Sequence, residues 1–247
     1  MMNTFIGFGN INTKNKEIEE NLIIKYKKKL KEVKDKEIYG DKATREQIID
    51  VLEANKRIQN YKKEGQKIVI VNATWDLFHP SHVSYLKIIE RKLQLDLWWW
   101  VGTYKLVCGL EHEDRVRKRK SKDRPILPVA LRRYMLENQK QVDDTWVYPD
   151  LQDDRYPSDI CLMFAPDVLI MHEEHMNTSD KIERLKKKMA SVLTELLVIK
   201  HNDDEKYLGY SLRKAGVTTS KILERIEKWW NCEEYFKTEY RIHEKDL

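Results

Sequence analysis

No apolar run in this chain of 247 residues approaches the roughly 18 residues that a membrane-crossing helix needs. The opening stretch Met1–Lys14 has neither the basic start nor the long apolar segment of an export signal, so a cytoplasmic protein is expected. Cysteine is scarce. Cys108, Cys161 and Cys232 stand far apart and are odd in number, which argues against a disulfide framework or a thiolate metal site and for a reducing compartment. Proline is absent before Pro80, and between Lys14 and Lys67 only Gly40 and Gly65 act as breakers. The chain has no internal repeat and no low-complexity linker. A strong charge of one sign is lacking too. The 46 basic and 41 acidic residues leave +5, which suits anionic substrates but does not by itself mark a nucleic-acid binder.

The length suggests one domain, or one domain with an appendage. The hydrophobic share of 41% falls below the usual range of about 45–50%, so part of the chain is expected outside the core. Ile18, Leu22, Tyr26, Leu30 and Val33 recur at helical spacing in a lysine-rich first helix. Thr44 and Gln47 form a capping-box pattern ahead of a second helix through Ile48, Leu52 and Ile58, closed near Gly65. Lys67–Asn72 is too uniformly apolar to alternate, as expected of a strand buried on both faces of a parallel sheet. Further strands are expected at Lys105–Leu110, Thr145–Tyr148, Val168–Met171 and Leu196–Lys200, with helical patterns between most of them. That alternation means an α/β domain with a mainly parallel sheet.

The segment Asn72-Ala-Thr-Trp-Asp-Leu-Phe-His-Pro-Ser-His82 joins the end of the first strand to a helix whose first turn contains Pro80. Ligands of open α/β sheets bind at this edge, and free N–H groups at a helix start attract phosphate. His79 and His82, three apart, face the same way on such a turn. Near the C-terminus, Thr218-Thr-Ser220 precedes the periodic Ile222, Leu223 and Ile226, the pattern of a helix N-cap.

Together these segments resemble the nucleotidyltransferase (cytidylyltransferase-like) superfamily. Its first signature, (G/N)-x-F-D-x-x-H-x-G-H, is approximated by Asn72–His82. Its second, R-x-x-G-x-S-T-(S/T)-x-I, is approximated by Leu212-Arg-Lys-Ala-Gly-Val-Thr-Thr-Ser-Lys-Ile222. Between them, Gly109–Val116, the basic run Arg117–Lys120, Arg124-Pro-Ile126, Arg132, Val142-Asp143 and Pro166-Asp-Val-Leu169 follow the order of heptose-1-phosphate adenylyltransferases. The stretch Arg213–Ser220 is closer to glycerol-3-phosphate cytidylyltransferases, so the base stays open between ATP and CTP.

The resemblance implies a Rossmann-like parallel sheet flanked by helices in residues 44–230, with a helical N-terminal extension over 1–43 and a C-terminal tail over 231–247. It implies transfer of a nucleoside monophosphate from ATP or CTP to a phosphorylated sugar or polyol, with release of pyrophosphate and with Mg²⁺ as cofactor. By the same resemblance His79, His82, Lys120, Thr218 and Thr219 carry the chemistry. Asn72, Ala73, Thr74, Trp75, Ser81, Arg132, Arg213 and Ser220 hold the nucleotide, and Glu113 and Glu174 the acceptor.

Departures from the family pattern fall at Ser81, where the family has glycine, at Ala73 and Trp75, at Glu113 in place of an aspartate, and at Met171-His-Glu-Glu-His175 in place of a glycine-rich acceptor segment. They keep a second reading open, a catalytically silent relative that serves as a binding or assembly subunit. His172 and His175 are three apart, not at the H-E-x-x-H spacing, and are taken as part of a polar loop with no metal ligand expected. Leu95–Val101, with three consecutive tryptophans, reads as an inserted hairpin or an oligomer contact, which leaves room for a homo-oligomer. Arg115–Lys122 reads as a solvated or phosphate-facing loop, with RNA as the weaker alternative. Trp229 and Trp230 continue the last helix as packing residues.

Overall fold

In the computed structural model, alternate residues of the first strand enter two separate apolar layers. Ile68 and Ile70 join one cluster with Ile48, Val107, Trp146 and Phe164, while Val69 and Val71 join another with Leu86, Ile89, Leu106 and Val168. A strand covered on both faces has no solvated side, which is why Lys67–Asn72 carries no polar alternation. The structure describes residues 45–99, 101–148, 163–175, 179–210 and 217–230, together with 17, 20, 21, 23, 24, 27 and 161.

Helix α1 (Arg45–Lys63) leads through Gly65, whose φ of 80° turns the chain, into β1 (Lys67–Ala73). There follow α2 (Pro80–Asp96), β2 (Tyr104–Glu111), α3 (Glu113–Arg119), α4 (Val129–Glu137), β3 (Asp144–Tyr148) and β4 (Val168–His172). A 3-10 turn (Glu173–His175), α5 (Ser179–Ala190), β5 (Glu195–Ile199), α6 (Asp203–Leu208) and α7 (Thr219–Trp230) complete the described chain. All pairings are parallel, in the order β3-β2-β1-β4-β5, so the sheet is the expected α/β, Rossmann-like type flanked by helices. The five strands expected from the sequence are all present, each displaced by no more than a residue at either end. Strand order reverses between β1 and β4, and that switch point is where an open sheet leaves a crevice.

The expected hairpin over Leu95–Val101 is a correction. Helix α2 continues to Asp96, and turns fill the interval to β2 among the described residues. Trp98 is 76% exposed, whereas Trp99 packs against the second cluster beneath the Lys67 ammonium. In the N-terminal extension the described residues are helical, and Ile23 packs against the first cluster. The stripe residues Ile18, Leu22, Tyr26, Leu30 and Val33, the cap residue Thr44, and the side chains of Trp229 and Trp230 lie outside the described residues. No helix among the described residues is long and apolar enough to cross a membrane.

Candidate active site

The turn after β1 holds two non-glycine residues in left-handed backbone, Trp75 (φ 54°) and Leu77 (φ 44°). Such conformations cost on the order of 1 kcal/mol or more each and persist only where the surroundings enforce them. Here they do. Trp75 is buried and its Nε1–H donates to the Gly109 carbonyl at 3.1 Å. Asp76 accepts from Arg124 Nε at 2.7 Å and from the backbone N–H groups of Ile126 and Leu127 at 3.0–3.1 Å. Burial alone would raise the Asp76 carboxyl, but these donors hold it below its ordinary value. The strained turn thus anchors the loop that follows α3.

Pro80 opens α2 with His79 as the N-cap residue. His82 Nδ1 accepts the His79 backbone N–H at 3.4 Å, so the neutral His82 ring carries its proton on Nε2. The two rings stack with centroids 4.0 Å apart. Across the crevice, Thr219 at the start of α7 donates its hydroxyl to the Asp76 carbonyl and therefore accepts from His79 Nε2–H, both at 3.2 Å. Ser81 Oγ donates to the carbonyl of Val217. The two signature segments, about 140 residues apart in sequence, meet at these bonds.

They line a cavity of about 510 Å³ at the switch point, whose wall also takes Asn72 and Ala73 from the end of β1 and Met171 and His172 from the end of β4. Lys120, the residue that caps α3, reaches the same wall with Thr218, Ser220 and Glu174. Desolvation pulls His79 below the ordinary histidine value, and desolvation with repulsion from His79 and Lys120 takes His82 down to about 3. Lys120 is exposed as a residue. Desolvation of its ammonium, with repulsion from Arg119 and Arg124, brings it down to about 8. A wall whose bases are held partly uncharged takes up protons when a polyanion arrives, because the anion favours their charged forms. Asn72 Oδ1 is turned toward Gly109 and the Trp146 ring, whereas the buried Nδ1 of His79 has no hydrogen-bond partner among the described residues. A built polar pocket leaves such an atom for a ligand or water.

Arg132 does not join the site. Its side chain is fully buried, with Nε bonded to Leu127 O at 2.9 Å and Nη1 to Thr74 O and Glu111 O at 2.6 and 2.8 Å. Those bonds tie α4 to the ends of β1 and β2, and a phosphate has no access to them. The expected nucleotide role of Thr74 fails for a like reason, since its hydroxyl donates to buried Glu111 at 2.8 Å. Glu113 is likewise corrected from an acceptor residue to a structural one. Its carboxylate accepts the Val129 N–H at the start of α4 and sits 3.3 Å from His112, away from the cavity. Trp75 contributes to the cavity wall, but its indole N–H is already used inside. Arg213 lies outside the described residues.

The basic run divides by direction. Arg119 clamps Glu111 with two bonds of 2.9 and 2.6 Å, and Arg115 Nε lies 3.2 Å from the same carboxylate. Burial would raise the Glu111 carboxyl, yet Arg119 above all holds it low. These inward pairs turn α3 so that Lys120 meets the cavity, which favours the phosphate-facing reading over an RNA surface. Residues that sequence reasoning did not assign include Asp76, present in the first signature, and Tyr85, Lys200, His201 and Asp204 on the cavity wall. The last three follow β5. The rule that ligands sit beyond the carboxyl ends of strands near the switch point is the signal that points to them.

No protein-family model matches the chain. The bifunctional protein HldE of Shewanella piezotolerans is 28% identical over 169 residues, which is 68% of this chain and 29% of that protein. HldE of Haemophilus influenzae is 26% identical over 180 residues, 73% of this chain and 32% of its own length. HldE of Actinobacillus pleuropneumoniae is 33% identical over 101 residues, 41% of this chain and 19% of its length. This chain is homologous to part of HldE. It spans about three-tenths of the length of the first two relatives and about a fifth of the third. Among solved structures, the lipopolysaccharide core biosynthesis protein from Thermoplasma volcanium is similar with a TM-score of 0.41 and 18% identity, over 55% of this chain and 96% of that one.

Proposed function

We propose that the chain is a cytoplasmic nucleotidylyltransferase that transfers a nucleoside monophosphate to a phosphorylated sugar or polyol. The observation that carries this reading is the His79–Thr219 bond, which joins the two signature segments on one cavity at the sheet's switch point. Homology to part of HldE supports it, and the donor is ATP or CTP.

An oxygen of the acceptor's phosphate attacks the α-phosphorus, and the bond from that phosphorus to the bridging oxygen of the β-phosphate breaks, so pyrophosphate leaves with the electron pair. No protein nucleophile is needed, and the rate comes from positioning and charge stabilisation. His82 offers Nε2–H, and His79 offers Nδ1 once it is protonated. Lys120 supplies a cation from the α3 end, and the first turn of α7 offers backbone N–H groups and the hydroxyls of Thr218 and Ser220. Thr219 orients His79, because its one proton is committed to the Asp76 carbonyl.

Mg²⁺ suits such a site when carried chiefly by the phosphates. The cavity offers it only the carboxylates of Glu174 and Asp204 among the described residues, since Asp76 is engaged by Arg124, Ile126 and Leu127. Mg²⁺ would neutralise charge on the triphosphate.

The test is incubation with ATP or CTP, Mg²⁺ and a panel of phosphorylated sugars and polyols while pyrophosphate is measured. Acceptor-dependent pyrophosphate is the expected result. Nucleotide binding without turnover on any acceptor would favour the silent relative, and no binding of either triphosphate would overturn both readings.

A further inference from the structure

The ends of β4 and β5 lie side by side, with His172 opposite Ile199 in the parallel register. The residues just beyond them therefore share one wall of the cavity. His172, Glu174 and His201 each present a ligand atom within 4.8 Å of the others, and all three line the cavity that holds His79 and Lys120. We infer that His172, Glu174 and His201 form a binding site for a divalent transition metal, of the Zn²⁺ or Co²⁺ kind, on the part of the wall that follows β4 and β5.

Three features support the site. The first is the donor set, because two imidazoles and a carboxylate suit Zn²⁺, Co²⁺ or Fe²⁺ better than the all-oxygen preference of Mg²⁺ or Ca²⁺. With three protein ligands the ion keeps a position open toward the cavity. The second is position. His172 Nδ1 accepts the Glu174 backbone N–H at 3.3 Å, which holds the ring beside the Glu174 carboxylate, 3.9 Å away. The third is the tie between the two loops. Glu173 accepts the His201 backbone N–H at 2.9 Å, and buried Asp203 accepts that of Lys200 at 2.8 Å while it pairs with Lys92 at 3.2 Å. The backbone that carries the ligands is thus positioned from both sides. Ligands at 2.0–2.1 Å from a tetrahedral ion lie roughly 3.4 Å apart, so a cluster within 4.8 Å must close by up to about 1.4 Å. Glu174 and His201 are exposed, and side-chain rotation suffices.

The sequence hides this site because His201 follows His172 by a full strand–helix–strand excursion. Only the H-x-E half of it is local. The inference does not depend on nucleotide transfer, and its test contains no nucleotide.

Full-length protein freed of metal with a chelator is titrated with Co²⁺ and followed by visible absorption and calorimetry. The expected result is one Co²⁺ per chain, displaced by Zn²⁺ but not by a large excess of Mg²⁺. His172→Ala and His201→Ala should each weaken binding by roughly tenfold or more, a loss at least as large as that from removing an outer-shell partner. His79→Ala should leave it unchanged, and circular dichroism should show each variant folded. His201→Gln serves as a second variant, since it keeps the size of an exposed side chain. The site is overturned by absence of Co²⁺ binding, by binding that survives both His172→Ala and His201→Ala, or by equal loss in His79→Ala.

Discussion

Ser81 donates its hydroxyl to the carbonyl of Val217, so the residue that stands where the resembling family has glycine fastens the first signature to the second. Its role in this chain is a tether across the crevice. The Cβ it adds lies at the first turn of α2, beside the backbone N–H groups of that helix start.

Two substitutions separate the tether from the crowding. Ser81→Ala removes the bond and keeps the Cβ, and should weaken triphosphate binding by a factor of about five, the worth of one net hydrogen bond near 1 kcal/mol. Ser81→Gly removes both. If the Cβ crowds the nucleotide, the glycine form binds more tightly than the alanine form, and calorimetric titration with the Mg²⁺ triphosphate measures the difference. Equal binding by all three proteins would show that neither effect reaches the ligand.

His79→Ala and His82→Ala should each lower turnover by roughly 10²–10³, the range for loss of one donor to a developing charge. Both residues are only partly buried and face the cavity, so thermal melting should change little. Thr219→Val should reproduce part of the His79 loss, because it removes the hydroxyl that orients the ring. Full activity in either histidine variant would remove that residue from the mechanism.

Triphosphate affinity should fall as pH rises through about 8, where Lys120 loses its proton in the free protein. The anion binds the protonated form better, so affinity is level below that pH and declines by at most about tenfold per pH unit above it. Lys120→Met should flatten the profile and lower affinity at neutral pH. Binding measured in two buffers of different ionisation enthalpy near pH 8 should show net proton uptake in the wild type that is lost in Lys120→Met.

Asp76→Asn should cost on the order of 2 kcal/mol, since it removes the charge that three donors, Arg124 Nε and the N–H groups of Ile126 and Leu127, converge on. The folded-state pKa of Asp76 is depressed. Its contribution is therefore complete above the ordinary aspartate value of about 3.9 and is lost as pH falls through the lower folded value. Denaturant titrations of the two proteins should differ at neutral pH and converge in strong acid.

A Cβ on Gly109 would lie 2.0 Å from Asn72 Oδ1 and 3.0 Å from the Trp146 ring. Gly109→Ala should destabilise the fold by about 1–3 kcal/mol, the usual range for overpacking, and push Asn72 toward the cavity. Asn72→Ala in the same protein should recover part of that loss, read as a double-mutant cycle by chemical denaturation. Simple additivity of the two changes would mean that they do not share the space.

The five strands and most helices between them were legible because periodicity and β-branched runs are local signals, but α3 was not: Arg115–Lys122 reads as a loop for want of an apolar stripe, and Glu113–Arg119 is helical. Ile68 to Val71 can only be a strand with two covered faces, and the Thr218–Ser220 cap announces α7 within a few residues. The cavity wall given by His79, Ser81, His82 and Thr218–Ser220 was legible through the two signatures, whose members sit at a strand end and at helix starts. The fate of each remaining charge was not legible. Arg132 and Lys120 are alike on paper, twelve residues apart in one basic region. Arg132 bonds carbonyls of Leu127, Thr74 and Glu111, while Lys120 turns to the cavity because Arg119 and Arg115 are held by Glu111. His172, Glu174 and His201 likewise come together only because β5 lies beside β4. Element type follows from neighbours along the chain, and an ionisable group's partner follows from neighbours in space, which the order of residues does not contain.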